Sequence, residues 1–243
     1  MLVNHFLENS ALKYSDKVAV ICGSKRITYS EIDAMAGSLS SALLSEGIGR
    51  GDRVAVFLDN SVEAVISIFA ILKAGAVFVM VNPTTKRDKL NYTLNNCRAS
   101  ALISHINKFD IASEAYKTTP SLKSAILTGR KKEIVNGSQR YIFMEDAISS
   151  ISSTWKSSVA LPCIDIDLAA ILYTSGSTGY PKVVMLTHFN MVSAANSIIH
   201  YLENTSEDII LNVLPLSFDY GLYQVLMGFK IGATLVLEKS FIY

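Results

Sequence analysis

One short segment of the sequence combines hydroxyl residues, glycines and a lysine. Glycines let backbone N–H groups turn toward an anion, hydroxyls add hydrogen-bond donors without bulk, and a lysine supplies positive charge. Each charge-assisted hydrogen bond of this kind contributes about 1.5–3 kcal/mol. These residue types therefore predict a site for a polyphosphate. The segment comprises Thr174, Ser175, Gly176, Ser177, Thr178, Gly179 and, three positions further on, Lys182.

The spacing within this segment differs from that of a P-loop. A P-loop places four residues between its two glycines and follows the second one directly with lysine and then serine or threonine. Here two residues separate Gly176 from Gly179, and Lys182 is followed by Val183. A P-loop NTPase is therefore disfavoured. A flexible Ser/Gly linker is also disfavoured, because Pro181 and Lys182 lead directly into a new apolar run.

Short apolar runs alternating with helical patterns must position this segment. Between the runs, apolar residues recur at spacings of three and four, which predicts amphipathic helices. This alternation predicts an α/β fold with mainly parallel sheets and helices on both faces. The candidate phosphate segment directly follows one of the predicted strands. The strands are predicted at 18–22, 26–29, 54–58, 76–81, 99–104, 125–128, 168–173, 183–186, 209–214 and 234–237.

Three helix starts are indicated by polar residues in front of apolar patterns. Ser30 with Asp33, and Thr85 with Asp88, have the spacing of a capping box. Ser61 precedes a third helical pattern and is predicted to be its N-cap.

The stretch 62–81 has about the length and apolar character of a membrane span. Lys73 near its middle would cost roughly 2.5–3.5 kcal/mol in a bilayer, and Glu63 and Gly75 interrupt the pattern further. We therefore predict a buried helix, a glycine stop and a buried strand, with no transmembrane segment.

Charge and composition exclude several classes of protein. The chain has 243 residues, of which 50% are hydrophobic, and 22 Lys and Arg against 21 Asp and Glu give a net charge of +1. Such a composition buries a large core, which excludes disorder. A nucleic-acid partner is disfavoured because phosphate neutralisation needs a clustered basic excess. The cationic cluster at 130–132 is interpreted as a solvated loop.

The cysteines and the first residues bear on the cellular compartment. Cys22, Cys97 and Cys163 are odd in number, widely spaced and without a C-x-x-C pair, so neither a disulfide framework nor a metal site is predicted. Residues 1–10 lack a basic region followed by a long apolar core, so no signal peptide is predicted. A reduced, cytoplasmic location fits these features.

The phosphate segment closely resembles the signature of the adenylate-forming superfamily, which includes acyl-CoA synthetases, luciferases and the adenylation domains of peptide synthetases. Further blocks resemble that superfamily in the same order along nearly the whole chain, and the ordered set is more specific than the loop alone. These blocks lie at 27–32, 51–56, 72–79, 82–83 and 186–188.

The resemblance implies a two-step, AMP-forming ligation. A carboxylate would attack the α-phosphate of MgATP to give an acyl adenylate, and a thiol of CoA or of a carrier-bound phosphopantetheine would then displace AMP. The run from Thr174 to Gly179, with Lys182, would cradle the β- and γ-phosphates of ATP, with Mg2+ as the metal. The resemblance places no catalytic side chain and no metal ligand within these residues.

Two positions depart from the pattern of acyl-CoA synthetases. Val183 stands where the superfamily usually has glycine. Phe218 and Asp219 stand where many acyl-CoA synthetases have an aromatic residue and histidine, and they resemble the Phe-Asp of amino-acid adenylation domains, whose aspartate meets the substrate's amino group. Phe218, Asp219, Tyr220 and Gly221 are therefore candidate substrate residues. A first-turn or N-cap role for Asp219 remains equally open.

The resemblance also implies a domain organisation. Residues 51–198 would form a first αβ subdomain, and 1–50 with 199–243 would begin a second, incomplete one. The superfamily's Thr-Glu metal site, its ribose-binding aspartate, its hinge and its C-terminal domain have no counterpart before Tyr243. We therefore expect an N-terminal portion that is inactive alone. Faces meant for the missing half, or for self-association, would explain the mean hydropathy of +0.32.

Three functions remain open from the sequence. The first is an AMP-forming acyl-CoA ligase, with the chain as its N-terminal part. The second is amino-acid adenylation for loading a carrier protein, motivated by Asp219. The third is a non-catalytic nucleotide-binding module.

Overall fold

The computed structural model describes residues 1–129, 141–149, 163–174 and 182–239. The helices are α1 His5–Lys13, α2 Tyr29–Ser45, α3 Val62–Lys73, α4 Arg87–Asn96, α5 Phe109–Thr118, α6 Met144–Ser149, α7 His188–Leu202 and α8 Asp219–Ile231. The strands are β1 Val18–Cys22, β2 Lys25–Thr28, β3 Arg53–Phe57, β4 Val77–Met80, β5 Ala101–His105, β6 Ser124–Thr128, β7 Tyr141–Phe143, β8 Leu168–Thr174, β9 Lys182–Thr187, β10 Ile209–Asn212 and β11 Thr234–Leu237.

The strands form two mostly parallel sheets. The smaller has the order β10-β11-β1-β2, and the larger has the order β7-β6-β5-β3-β4-β8-β9. Within the described ranges, the antiparallel pairs are β1 with β2 and β8 with β9. Helices α3, α5 and α8 lie in the connections from β3 to β4, from β5 to β6 and from β10 to β11, as crossovers between parallel strands require. The predicted α/β fold with mainly parallel sheets is confirmed.

The central strands of the larger sheet are buried on both faces. Successive side chains of a strand point to opposite faces, and in β3 Val54 and Val56 join a core with α2, α3 and the smaller sheet. Ala55 and Phe57 join a second core with residues of α4 and α5. A strand covered on both sides needs apolar residues at every position, which explains the continuous apolar runs of the sequence.

The stretch 62–81 is a buried helix followed by a buried strand, as predicted. Lys73, at the end of α3, is buried, and its ammonium group lies 3.0 Å from carboxylate oxygens of both Glu8 and Asp33. Two neighbouring helices thus supply the charges that let a lysine lie inside the protein. Over the ranges described, no helix has both the length and the apolar character needed to cross a membrane.

The cap predicted for α2 is wrong by two residues. Thr28 is the N-cap: its hydroxyl accepts from the Glu31 N–H at 3.3 Å, and the Glu31 carboxylate accepts from the Thr28 N–H at 2.7 Å. The helix begins earlier than predicted because β2 ends at Thr28. The carboxylate of Asp33 faces Lys73 instead of the Ser30 backbone.

The start of α4 also differs, whereas that of α3 is as predicted. The chain turns at Asn82, whose carbonyl accepts from the Thr85 N–H at 2.9 Å, and α4 begins after Lys86 with no side-chain cap. The predicted Thr85–Asp88 box is therefore wrong. The hydroxyl of Ser61 accepts from the Ala64 N–H at 3.2 Å and caps α3.

The three cysteines are all free thiols. The cationic cluster at 130–132 lies outside the described residues.

Candidate functional site

The β8–β9 hairpin brings the two ends of the candidate phosphate segment together. Thr174, the last residue of β8, pairs with Lys182, the first residue of β9, and the Thr174 hydroxyl donates to the Lys182 carbonyl at 3.5 Å. Both residues are exposed. In the part of the chain that the structure describes, no carboxylate lies within ion-pair distance of Lys182. An exposed hydroxyl and an exposed ammonium group, carried by two paired residues, suit a phosphate.

The remaining predicted phosphate ligands lie outside the described residues, and their role stays a prediction. These residues are Ser175, Gly176, Ser177, Thr178 and Gly179.

The backbone at Val183 is that of a regular strand. Val183 pairs with Tyr173 across the hairpin, and it is not among the residues with positive φ. A β-branched residue suits extended backbone. The departure from glycine at this position is therefore compatible with the strand that follows the loop.

The carboxyl end of β8 is attached to α4 by a tyrosine. The Tyr173 hydroxyl donates to the Asn96 side-chain oxygen at 2.6 Å, and burial raises the pKa of this hydroxyl. It therefore remains a donor at neutral pH. Burial likewise raises the pKa of the adjacent Cys97 thiol to about 11, so this thiol is protonated and unreactive.

His188, at the start of α7, has a structural environment. It is 1% exposed, and its Nδ1 accepts a hydrogen bond from the Val3 backbone N–H at 3.1 Å. Burial lowers the pKa of its imidazole to about 4, so the ring is neutral at pH 7. The preceding residue, Thr187, caps the helix by a reciprocal box with Asn190.

Asp219 is the first residue of α8, and its carboxylate accepts from the Tyr220 N–H at 2.9 Å. Phe218 occupies the N-cap position without a side-chain cap. Of the two structural interpretations of Asp219, the first-turn one describes its place in the helix. It leaves the second carboxylate oxygen available to a ligand.

Asp219 and Tyr220 line a cavity of ≈ 620 Å3 between α7 and α8. Tyr201 and Tyr223 add aromatic walls, and Gln224 adds an amide. Among the described residues, the buried side-chain oxygen of Gln224 has no hydrogen-bond partner. The cavity thus combines an apolar wall with a carboxylate and an amide oxygen, which suits a ligand that carries an amino group.

Gly221 does not line this cavity but permits close backbone packing. A Cβ built on it would lie 2.5 Å from the Pro215 carbonyl oxygen and 2.7 Å from that of Leu214. The Gly221 carbonyl accepts from the Asn212 side-chain amide at 2.8 Å. A direct substrate role for Gly221 or Phe218 stays a prediction.

Asn60, which the sequence analysis missed, joins the two sheets. Its amide nitrogen donates to the carbonyls of Leu214 and Glu238 at 2.9 and 3.0 Å, and its oxygen accepts from the Leu216 N–H at 3.0 Å. It is 4% exposed. The sequence did carry a signal for Asn60, which is a polar residue just after a buried strand. In parallel sheets, binding groups lie beyond the carboxyl ends of the strands.

A polar crevice of ≈ 780 Å3 lies near Asn60, at the carboxyl ends of β1, β3, β5 and β6. Its charges pair with one another: Lys25 lies 2.7 Å from Glu63, and Lys108 lies 3.4 Å from Asp59. In the described ranges, no three His, Cys, Asp or Glu side chains form a group that could hold a metal ion. The described residues therefore identify no binding site for Mg2+, whose role stays a prediction.

Comparisons with known proteins agree with this architecture. The family described as AMP-binding enzyme matches residues 7–242. Bacitracin synthase 1 of Bacillus licheniformis is 30% identical over 241 residues, which are 98% of this chain and 4% of that protein. The chain thus spans a small part of this curated relative.

Solved structures share the fold. The anthranilate CoA ligase AuaEII, in complex with anthranoyl-AMP, has a TM-score of 0.89 at 23% identity, over 99% of this chain and 45% of that one. VinN, in complex with 3-methylaspartate, has a TM-score of 0.82 at 26% identity, over 98% of this chain and 62% of that one. The match over nearly the whole chain confirms the resemblance inferred from the loop: the protein belongs to the AMP-binding enzyme family of adenylate-forming enzymes.

Proposed function

We propose that this chain takes part in the ATP-dependent activation of a carboxylic acid. A carboxylate oxygen of the acid attacks the α-phosphorus of ATP, the bond to the β-phosphate oxygen breaks, and pyrophosphate leaves the acyl adenylate. The observation that carries the proposal is the hairpin, which joins Thr174 and Lys182 at the two ends of the loop. Lys182 and the loop would stabilise the negative charge on the β- and γ-phosphates.

The second step would transfer the acyl group to a thiol. The sulfur attacks the acyl carbonyl carbon, the bond to the adenylate oxygen breaks, and AMP leaves. We propose CoA as the acceptor, with carrier-bound phosphopantetheine as the alternative. AuaEII, the structural neighbour bound to anthranoyl-AMP, is a CoA ligase. Mg2+ would neutralise phosphate charge when bound.

Lys182→Ala tests the phosphate assignment directly. Loss of one charge-assisted contact of about 1.5–3 kcal/mol should weaken ATP binding about 10- to 150-fold. Isothermal titration calorimetry of the purified chain, with exposed Lys117→Ala of α5 as control, measures this. Unchanged ATP affinity in Lys182→Ala would show that the loop assignment is wrong.

Turnover separates an active chain from a non-catalytic module. We expect little ATP–pyrophosphate exchange from the 243-residue chain alone. Substrate-dependent exchange by this chain would contradict that expectation. A second outcome would favour the nucleotide-binding module. In that outcome ATP raises the thermal stability without turnover, even in a version extended to the length of its relatives.

Amino-acid adenylation is a second candidate, favoured by the Asp219 carboxylate in the cavity. VinN, which has been solved with 3-methylaspartate, and bacitracin synthase 1 support this candidate. ATP–pyrophosphate exchange by an extended version should be compared with aliphatic acids and with the matching amino acids. Exclusive use of amino acids would exclude a ligase for aliphatic acids. Loss of amino-acid use in Asp219→Asn, with ATP affinity retained, would assign the amino group to this carboxylate.

A further inference from the structure

The end of β8 that leads into the phosphate segment lies past the last residue that pairs with β4. Pairing with β4 covers Ala170 to Leu172, whereas pairing with β9 continues through Tyr173 and Thr174. Within the described ranges, β9 in turn pairs with β8 alone. Among these residues, the tip of the hairpin, at which Thr174 meets Lys182, therefore has strand support from one side of β8 only.

The Tyr173 side chain gives this tip a second attachment. Successive side chains of β8 point to opposite faces, so Leu172 joins the core that contains α3, and Tyr173 packs against the second core beneath α4. The Tyr173 hydroxyl donates to the Asn96 side-chain oxygen at 2.6 Å, and the Thr93 carbonyl oxygen lies 3.5 Å from it. One side chain thus connects the residue before Thr174 to the last turn of α4.

The last turn of α4 is itself held to the centre of the larger sheet. The guanidinium group of Arg53, in β3, donates to the carbonyls of the two residues that follow Asn96, at 2.7 and 2.6 Å. Asn96 is therefore an acceptor on a fixed segment. A hydroxyl bound to it takes a defined position, and so does the strand end that carries this hydroxyl.

We propose that Tyr173 is a positioning residue, whose hydrogen bond to Asn96 holds Thr174 and Lys182 in the orientation that binds the phosphates of ATP. This inference rests on the proposed function, because it concerns the same phosphates. The Tyr173 hydroxyl donates to α4 and not to the nucleotide. It acts by raising the fraction of the free protein in which the hairpin tip is oriented for binding, and the apparent affinity rises with that fraction.

Tyr116 of α5 is a matched tyrosine with a structural role alone. Its hydroxyl donates to the Lys123 carbonyl at 2.9 Å, and both tyrosines pack against the second core. The Lys123 carbonyl precedes β6, however, and not the phosphate segment. Loss of either hydroxyl should therefore lower the stability slightly, whereas only loss of the Tyr173 hydroxyl should lower the affinity for phosphates.

Isothermal titration calorimetry of the purified chain with ATP and with inorganic tripolyphosphate measures this affinity. Tripolyphosphate carries the phosphates without the adenosine, so it reports on the phosphate segment alone. Tyr173→Phe keeps the ring, and it should weaken binding of both ligands about 3- to 10-fold, as expected for loss of one neutral hydrogen bond. Tyr116→Phe should leave both affinities unchanged.

Variants of the acceptor test whether the hydrogen bond carries the effect. Asn96→Ala should weaken binding as much as Tyr173→Phe does, and the double variant should be no weaker, because both changes break the same contact. Asn96→Asp should retain the wild-type affinity, because its carboxylate accepts the same hydrogen bond. If Tyr173→Phe fails to fold in circular dichroism, the contrast between Asn96→Ala and Asn96→Asp decides the question.

Lys182→Ala separates this inference from the proposed function. If Lys182→Ala weakens binding and Tyr173→Phe does not, the phosphate assignment stands and the positioning role is wrong. If the wild type binds neither ligand, both are wrong. Equal losses of affinity in Tyr116→Phe and Tyr173→Phe, or additive losses in Tyr173→Phe and Asn96→Ala, would also overturn the positioning role.

Discussion

His188 provides a pH-sensitive contact at the scale of a single residue. An unfolded histidine has a pKa of about 6.5, and burial lowers that of folded His188 to about 4. The folded state therefore favours the neutral ring. The stabilisation that neutral His188 gives the folded state is fully present above about pH 6.5 and is lost as the pH falls toward 4. The loss amounts to about 3 kcal/mol.

His188→Asn tests this expectation, because the Asn side-chain oxygen can accept the Val3 N–H without titrating. The difference in unfolding free energy between wild type and variant should shrink or reverse between pH 7 and pH 4. Urea denaturation over this range measures it. A difference independent of pH would show that His188 does not carry the effect.

Two glycines of α8 form a matched pair for substitution. Gly221→Ala should destabilise the protein by about 1–3 kcal/mol or more, because the new Cβ would meet two carbonyl oxygens within 2.7 Å. Gly228→Ala should be neutral or stabilising by up to about 1 kcal/mol, because its Cβ would contact only Ile210 at 3.5 Å. Thermal unfolding distinguishes the two. Equal effects would contradict the close packing inferred at Gly221.

At the scale of elements, Lys73 ties three helices together. It extends from α3 to Glu8 on α1 and to Asp33 on α2, and its side chain is 1% exposed. Lys73→Ala should lower the free energy of unfolding by about 3 kcal/mol, because it leaves two partly buried carboxylates without this partner. Lys25→Ala removes the exposed pair with Glu63 and should cost less than about 1 kcal/mol. Denaturant titration of both variants measures the two losses of unfolding free energy. A loss in Lys73→Ala as small as that in Lys25→Ala would show that Lys73 does not hold the three helices together.

At the scale of the whole molecule, Asn60 links the larger sheet to the loops that follow β10 and β11. Asn60→Ala should cost about 2–3 kcal/mol, because a buried N–H and two carbonyls lose their partner. Asn95→Ala should cost less than about 1 kcal/mol, because the hydrogen bonds from its side chain to the carbonyls of Asn91 and Thr118 are exposed. Urea unfolding measures both costs, and similar values would indicate that Asn60 does not join the sheets.

Exposed apolar side chains concentrate in one part of the molecule. Among the residues that the structure describes, most of the large ones lie between 183 and 220, on β9, α7, β10, the loop that follows β10 and the start of α8. This distribution shows where the exposed apolar surface lies that the high mean hydropathy led us to expect.

The sequence by itself determined the class of fold and predicted the phosphate segment, whose role no contact among the described residues tests. Strand and helix periodicities are local, so β1, β3, β11 and α3 were predicted close to their observed bounds. The loop motif is equally local, because its chemistry lies in consecutive residues. Helix starts were less predictable. Thr28 and Ser30 both have side chains that can cap a helix. Thr28 is the cap because β2 ends at this residue.

The tertiary structure decided what depends on contacts between distant residues. Sheet order brings Asn60 to the ends of β10 and β11, and helix packing places Asp219 beside Tyr201 in one cavity. The same packing turns His188 into a buried acceptor for the backbone N–H of Val3. No pattern along the chain carries this information, because neighbours in space are chosen by the joint burial of many separated apolar faces.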